Sequence, residues 1–413
     1  MRTWLPGEPG FEAARRPWNS AVEQAVAAVA EPAGDDDVVA LVRHARAAGL
    51  GIATQAGGHG ATGRTEGAIL LRTRRLTGLA IDPAGRRARV GAGVPTGRLQ
   101  AAAAEHGLSG LPGSSPIVSV TALALGGGLS WFSRRHGWVA DGVTALDIVD
   151  ADGRRRHVTA QTDPDLFWAL RGAGGDFAVV TAAEVELHPV PRLYGGRAWW
   201  DARHAPAVID AYRRITAAAP DELSVWLNLV QFPGTEPMVA VDFTYLGGEA
   251  EARDLLAPLP RPQADSGRTM SAADVGSITA EPTEPGNRLS RCELLTDLTG
   301  DVGTALLAEP IAPLLAVQIR HLGGALARPS HSPHGPLTEP YAVHLLGAPA
   351  GPPVAAKQRK LAEALPVSGR KPYTFLEPAE SAADAFTPEV AARLRLLKQR
   401  YDPGNVFRAN FPV

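Results

Sequence analysis

Gln55-Ala56-Gly57-Gly58-His59-Gly60-Ala61-Thr62-Gly63 is the most informative stretch of this 413-residue sequence. The apolar Ile52–Thr54 before it reads as a short strand. Consecutive glycines then let backbone N–H groups come close to a ligand, which suits a diphosphate. A histidine inside such a loop stands beside whatever the loop holds. By itself the stretch reads equally well as a tight surface turn.

The flanking sequence alternates between strand and helix signals. Asp35–Asp37 start a helix with carboxylates at its positive end, and Val38, Val39, Val42 and Ala45 recur at helical spacing. Gly49–Gly51 stop it. Ala68–Leu71 reads as a strand. Leu79–Ile81 and Ala88–Val90 flank a Pro83–Gly85 turn as a hairpin. Thr96–His106 is an alanine-rich helix ended by Gly107. Leu146–Val149 and His157–Thr159 flank Asp152–Gly153, a strong hairpin signal. Pro164–Leu170 reads as a helix and Ala178–Leu187 as a buried strand.

Two further glycine loops lie in this region. Leu111-Pro112-Gly113-Ser114-Ser115 leads to Gly126-Gly127-Gly128, and Arg171-Gly172-Ala173-Gly174-Gly175 leads into the strand that holds Val179. Three glycines in an apolar run are costly in entropy, so a ligand or a close crossover must require them. None is a GxGxxG fingerprint. Gly91-Ala92-Gly93 with Gly97 has the wrong spacing, and no GxxxxGK[ST] loop is present.

Composition bounds the remainder. Hydrophobic residues make up 45% and charged residues 20%, ordinary for a globular protein. A chain this long predicts two domains. The net charge of −2 argues against nucleic acid as a partner. Arg134–Arg135 and Arg154–Arg156 read as solvated charge. The lone Cys292 permits no internal disulfide, and the N-terminal stretch has no apolar signal core. No apolar run reaches membrane-spanning length. These features predict a soluble, cytoplasmic protein with no membrane partner.

After Pro189–Pro191 the signals weaken. Trp226–Val230 and Val239–Tyr245 read as strands, Glu249–Leu256 and Lys357–Leu365 as helices, and Pro258–Pro262 and Pro329–Pro336 as surface loops. Pro388–Val413 is a basic amphipathic helix with a tail, YDPGNVFRANFPV.

Five stretches in order resemble one family. QAGGHGATG, VGAGVPTGRLQAAAAEHGL, LPGSSPIVSVTALALGGGLSWFSRRHG, DPDLFWALRGAGGDFAVVT and YDPGNVFRANFPV are similar to the FAD-linked oxidases of the vanillyl-alcohol-oxidase (PCMH-type) superfamily, berberine-bridge-enzyme-like branch. The resemblance implies an α+β protein. A two-lobed FAD-binding domain would span 1–190 and a substrate domain with a helix-covered antiparallel sheet 191–370, with 371–413 returning to the FAD domain. It implies FAD bonded to His59 through the flavin 8α-methyl. The further cofactor contacts it implies are Gly57, Gly58, Gly60, Gly63, Gly113, Ser114, Ser115, Gly126, Gly127, Gly128, Val179 and Asn405. Relatives with a second link carry a cysteine where Ser115 stands, so a single covalent link is expected.

The resemblance also implies hydride transfer from a small organic substrate, an alcohol, sugar or natural-product intermediate, with O2 as acceptor and H2O2 as product. A dehydrogenase that reacts poorly with O2, or a non-redox cyclase, isomerase or binding protein on the same scaffold, stays open. The alanine- and arginine-rich composition associates with bacterial secondary metabolism. The base is expected at Tyr373, the first position of a YxNY-like stretch that here runs Tyr-Thr-Phe-Leu, or at Tyr341. Tyr341, Val343 and Leu345 share one strand face and His344 the other. His331 and His334 lack partner ligands, so no metal is expected. No GxSxG elbow supports a hydrolase. Oligomeric state is not legible.

Overall fold

The computed structural model describes residues 1–413. Two sheets occupy the first half. Arg2–Trp4, Val26–Glu31, Ala68–Arg72 and Ile52–Gln55 form a four-stranded sheet, parallel except at its first strand. Leu79–Asp82, Arg87–Gly91, Val179–Glu186, Val143–Val149 and Arg155–Val158 form a five-stranded antiparallel sheet. Helix Asp35–Ala48 keeps three aspartates in its first turn and ends at Gly49 with φ 67°. Gly153 takes φ 70° in the Asp152–Gly153 turn. The two sheets share one apolar core with the helices and the C-terminal tail, in which Val42, Ile52, Leu146, Val179 and Phe407 are completely buried.

The second half is one antiparallel sheet of eight strands. Its central strands are Tyr194–Asp201, Met238–Tyr245, Leu223–Val230, Leu314–His321, Tyr341–Gly347 and Leu289–Leu295. Helices Ala205–Ala218, Gly300–Leu307 and Pro352–Glu363 cover one face with Ile209, Tyr212, Leu306 and Leu361. The opposite face looks toward the first half. From Tyr373 onward the chain packs back into the first core. No helix is long and apolar enough to cross a membrane.

Three sequence expectations differ. The helix expected at Lys357–Leu365 begins five residues earlier, because Pro352 at its first turn needs no hydrogen-bond partner. Arg134 is not a solvated charge: it is 5% exposed and donates to the carbonyls of Leu223, Ala219 and Pro220. The Pro329–Pro336 loop is not wholly at the surface. Ser332 and His334 are buried, and His334 fills the space that Gly127 and Gly172 leave by lacking a Cβ.

Candidate functional site

Strand Ile52–Gln55 delivers the glycine loop to a cavity of about 210 Å³ between the two sheets of the first half. Gly57, Gly58, His59 and Gly60 line it together with Gly126, Gly174, Ala178 and Val180. Across from them come Tyr373, Thr374 and the tail residues Ala409–Phe411. The tail is held by backbone bonds from Ile52 N–H to Val406 O (2.7 Å) and from Arg408 N–H to Ile52 O (2.9 Å). The Asp402 carboxylate accepts from the N–H groups of Val406 and Phe407 at 2.9 and 2.8 Å and from Lys398 Nζ at 2.8 Å. Asn410 Oδ1 meets Gln55 Nε2 at 3.5 Å, and Thr62 Oγ1 donates to Asn410 O at 3.1 Å.

His59 stands in the cavity wall. Its Nε2 is sealed from solvent and has no hydrogen-bond partner. Trp18 stacks on the ring at 4.2 Å. Burial, with Arg288 nearby, lowers its pKa to about 4, so the imidazole is neutral near pH 7. The Thr121 hydroxyl, also in the wall, is buried without a partner. Orphaned polar atoms beside glycine backbone fit a cofactor with a polar tail and a ring edge to satisfy them. FAD is such a group, and His59, Thr121 and the Gly57–Gly60 backbone are the residues that fit it.

Not every expected contact lies in the wall. Gly58 is there with φ 81°, and a Cβ would stand 2.9 Å from Pro17. Gly63, with φ 79°, instead packs on Glu23 O. Gly113 and Ser114 lie outside the cavity lining. Ser115 also lies outside it, though its Oγ is buried and partnerless. Gly127 and Gly128 make room for His334 and Val139 rather than for a ligand, while Gly126 reaches the wall. Val179 points into the apolar core, since strand alternation gives the cavity to Ala178 and Val180. Asn405 is an exposed turn residue of the tail, with φ 47°, and lines a separate surface groove. That groove, at about 570 Å³, is the roomier of the two but contains none of the orphaned groups.

The two tyrosines separate. Tyr373 lines the cavity, is 6% exposed and donates to Phe411 O at 3.1 Å. Burial pushes its pKa well up, so the phenol holds its proton near pH 7. Tyr341 sits on the helix-covered face, with its hydroxyl 2.7 Å from Thr216 Oγ1, and does not reach the cavity. The strand alternation that groups it with Val343 and Leu345 sends it there.

Of the sheet face turned away from the helices, sequence reasoning found only His344. Trp226, Asn228, Asp242, Gln318, Arg320 and His344 lie side by side on it through the strand pairings. The signal was polar residues at alternate positions inside otherwise apolar strands, as in Leu314–His321. Glu377 was missed too. It follows the cavity residue Leu376, its carboxylate accepts from Ser290 Oγ, and burial raises its pKa to about 7.

Residues 26–159 match the family model described as FAD binding domain. The chain is 30% identical to (R)-6-hydroxynicotine oxidase of Paenarthrobacter nicotinovorans, over 99% of this chain and 95% of that protein. An FAD-linked oxidoreductase of Pestalotiopsis fici is 28% identical over 60% of this chain and 50% of its own length. Among solved structures, 6-hydroxy-D-nicotine oxidase of Arthrobacter nicotinovorans superposes with a TM-score of 0.86 at 27% identity, covering 98% of this chain and 96% of that one. A berberine-bridge-like protein of Physcomitrella patens superposes at 0.87 with 19% identity, covering 99% and 96%, a likeness of fold alone. On the glycine-walled cavity, the fold and these likenesses, the chain belongs to the FAD-linked oxidoreductases of the vanillyl-alcohol-oxidase (PCMH-type) superfamily, in the berberine-bridge-enzyme-like branch.

Proposed function

We propose that this protein is an oxidase that carries FAD on His59, takes hydride from a small organic substrate and passes the electrons to O2, giving H2O2. The observation that carries the reading is a neutral histidine with a sealed, partnerless Nε2 at the wall of a glycine-lined cavity. FAD bound there supplies the hydride acceptor and the route to dioxygen. Residues 1–190 are read as the FAD domain, 191–370 as the substrate domain and 371–413 as the returning segment.

The chain's own residues divide the work. Backbone N–H groups of Gly57, Gly58 and Gly60 are free to hold a diphosphate. The depressed pKa leaves an imidazole lone pair available near pH 7 for attachment to the flavin 8α carbon. Trp18 covers that ring and excludes water. Ser115, where related enzymes carry a cysteine, supports one link rather than two. No carboxylate reaches the wall to take the substrate proton: Glu377, with a carboxyl near 7, stands one residue beyond the wall residue Leu376 and is bonded by Ser290. Tyr373 orients, through a hydroxyl that stays protonated.

One observation favours a second reading. The cavity wall itself carries no carboxylate, which suits a dehydrogenase slow with O2 or a non-redox role on the same scaffold. Acid precipitation tests the attachment: the wild-type pellet stays yellow and the His59→Ala pellet does not. Peroxide release during an aerobic substrate screen tests the oxidase. Flavin bleaching without peroxide in air points to the dehydrogenase, and an isomeric product without bleaching to the non-redox role.

A further inference from the structure

The uncovered face of the eight-stranded sheet carries a chain of polar contacts that ends in an unmatched charge. Arg197 Nη2 donates to Asp242 at 2.7 Å, and Asn228 Nδ2 donates to the same carboxylate at 3.1 Å. Gln318 Nε2 donates to Asn228 Oδ1 at 2.8 Å, and Arg320 Nε donates to Gln318 Oε1 at 2.6 Å. There the chain of contacts stops. Arg320 is only 7% exposed, forms no ion pair within 4.0 Å, and its two Nη groups find no acceptor in the protein.

Arg171, equally buried, leaves its Nε without a partner and donates only to His331 O, but two other buried guanidinium groups are satisfied. Arg72 donates to the carbonyls of Ala14, Arg15 and Arg16 and to Gln55 Oε1. Arg134 donates to four backbone carbonyls. Arg320 instead lies 4.0 Å from the Trp226 ring and 5.4 Å from the Phe375 ring. Its Nη atoms are not among the sealed, partnerless ones, so they keep an opening to solvent. Asp242 is already engaged by Arg197, and Glu281 acts on Arg320 only from beyond ion-pair distance. Phe375 adjoins Tyr373 and Thr374, which stand in the cavity wall with His59. A buried cation without a partner is expensive, and proteins keep such groups chiefly where a ligand completes them.

We propose that Arg320 is the anchor for a carboxylate on the substrate, and that the substrate is a flat, largely apolar carboxylic acid whose body rests against Phe375. The planar fork of a guanidinium matches a carboxylate with two parallel hydrogen bonds. A single positive charge and an aromatic wall fit a monoanion better than a phosphate. The inference deepens the proposed oxidase by naming its substrate class, and it rests on that reading for what happens after binding.

The test needs no knowledge of the true substrate. The purified holoenzyme is titrated with benzoate and phenylacetate and, separately, with the neutral benzamide and phenylacetamide. Quenching of tryptophan fluorescence reports binding, since Trp226 stacks on both Arg320 and Trp131. The acids should bind roughly tenfold to a hundredfold more tightly than the amides, the range for hydrogen bonds to a charged group. Arg320→Gln should erase the preference and Arg320→Lys keep part of it, with the yellow colour unchanged in both. Equal binding of acid and amide to the wild type overturns the proposal, even if Arg320→Gln does not fold. So does an undiminished preference in a folded Arg320→Gln. A wild type that prefers acids but forms no peroxide with any candidate would count against the oxidase alone. A yellow, peroxide-forming enzyme indifferent to the carboxylate would count against this inference alone.

Discussion

Trp18 lies flat on His59, ring centroids 4.2 Å apart and planes 16° from parallel. The N-terminal segment that supplies it is tied to the glycine loop, because Trp18 N–H donates to Gly57 O at 3.0 Å. Arg288 sits 4.1 Å from the same indole and contributes to holding the imidazole neutral.

Removing that cover should change the titration of His59 before it changes the fold. Trp18→Ala is expected to cost about 1–3 kcal/mol, as loss of a partly buried aromatic does. The imidazole pKa should rise from about 4 toward its usual 6.5 as water enters. NMR titration of the ring in cofactor-free protein checks this. An unmoved pKa would mean that the loop alone, and not Trp18, desolvates the imidazole.

Acid should unfold the protein steeply. Burial is the largest cause lowering six histidines: His59 and His188 to about 4, His136 and His334 to about 3, His321 to about 2, and His344 well below its usual value. Each binds its proton more weakly folded than unfolded, so the unfolded chain takes up more protons below pH 6.5. The stability they contribute is complete above that value and is lost as pH falls through their folded values. Each histidine adds up to about 1.4 kcal/mol of loss per pH unit. Urea midpoints measured from pH 7 to pH 5 should fall accordingly. His188→Gln, which removes the ring stacked 3.9 Å from His136, should flatten the dependence.

Two buried carboxylates hold the tail, Asp402 at its start and Asp176 at its end. Asp402 is fully buried and serves two backbone N–H groups and Lys398. Asp402→Ala leaves the two N–H groups unmatched, while Lys398 keeps Asp176 and the Phe407 carbonyl, and should cost about 2–4 kcal/mol. FAD content per chain should fall with it, because Ala409–Phe411 line the cavity. Asp402→Asn retains one acceptor and should fall between. Full cofactor retention in a folded Asp402→Ala would show that the tail is not needed to close the site.

Gly127 and His334 should be coupled. A Cβ at Gly127 would stand 2.6 Å from His334 Nε2, and the backbone there has φ 87°. Gly127→Ala should therefore cost about 2–4 kcal/mol, part collision and part backbone strain. Adding His334→Ala removes the collision and leaves the strain. The pair should be non-additive by about 1 kcal/mol or more in urea unfolding, and strict additivity would refute the contact.

The first half of this fold is nearly all local in its signals. Asp35–Asp37, Gly49, Asp152–Gly153 and Gly107 each solve a capping or turn problem within a few residues, so helix Asp35–Ala48 and the hairpin after Val149 can be read directly. The glycine loops are legible as loops, but which glycine faces a ligand depends on remote partners. Gly127 answers to His334, more than 200 positions away, and no local pattern tells this. Strand Tyr194–Asp201 hides behind Gly195 and Gly196, which are weak strand formers in place because Met270 and Gly267 press close. Arg134 reads as a surface charge because its five acceptors come from two distant segments, 219–223 and 321–322. The alternation groups Tyr341 with Val343 and Leu345, but only the helices packed beneath them show which way that face looks.

The 355-residue separation between Gln55 and Asn410 sets a kinetic order. Closing so large a loop is slow and entropically costly compared with forming the local hairpins. The strand that presents the histidine loop can pair with Ala68–Arg72 early, yet its other edge stays open until residues 406–408 arrive. A refolding chain should accordingly pass through a stage with native-like sheets but an unfinished nucleotide clamp. Cofactor capture then becomes one of the last events in assembly, and supplying FAD early should do little to hasten it.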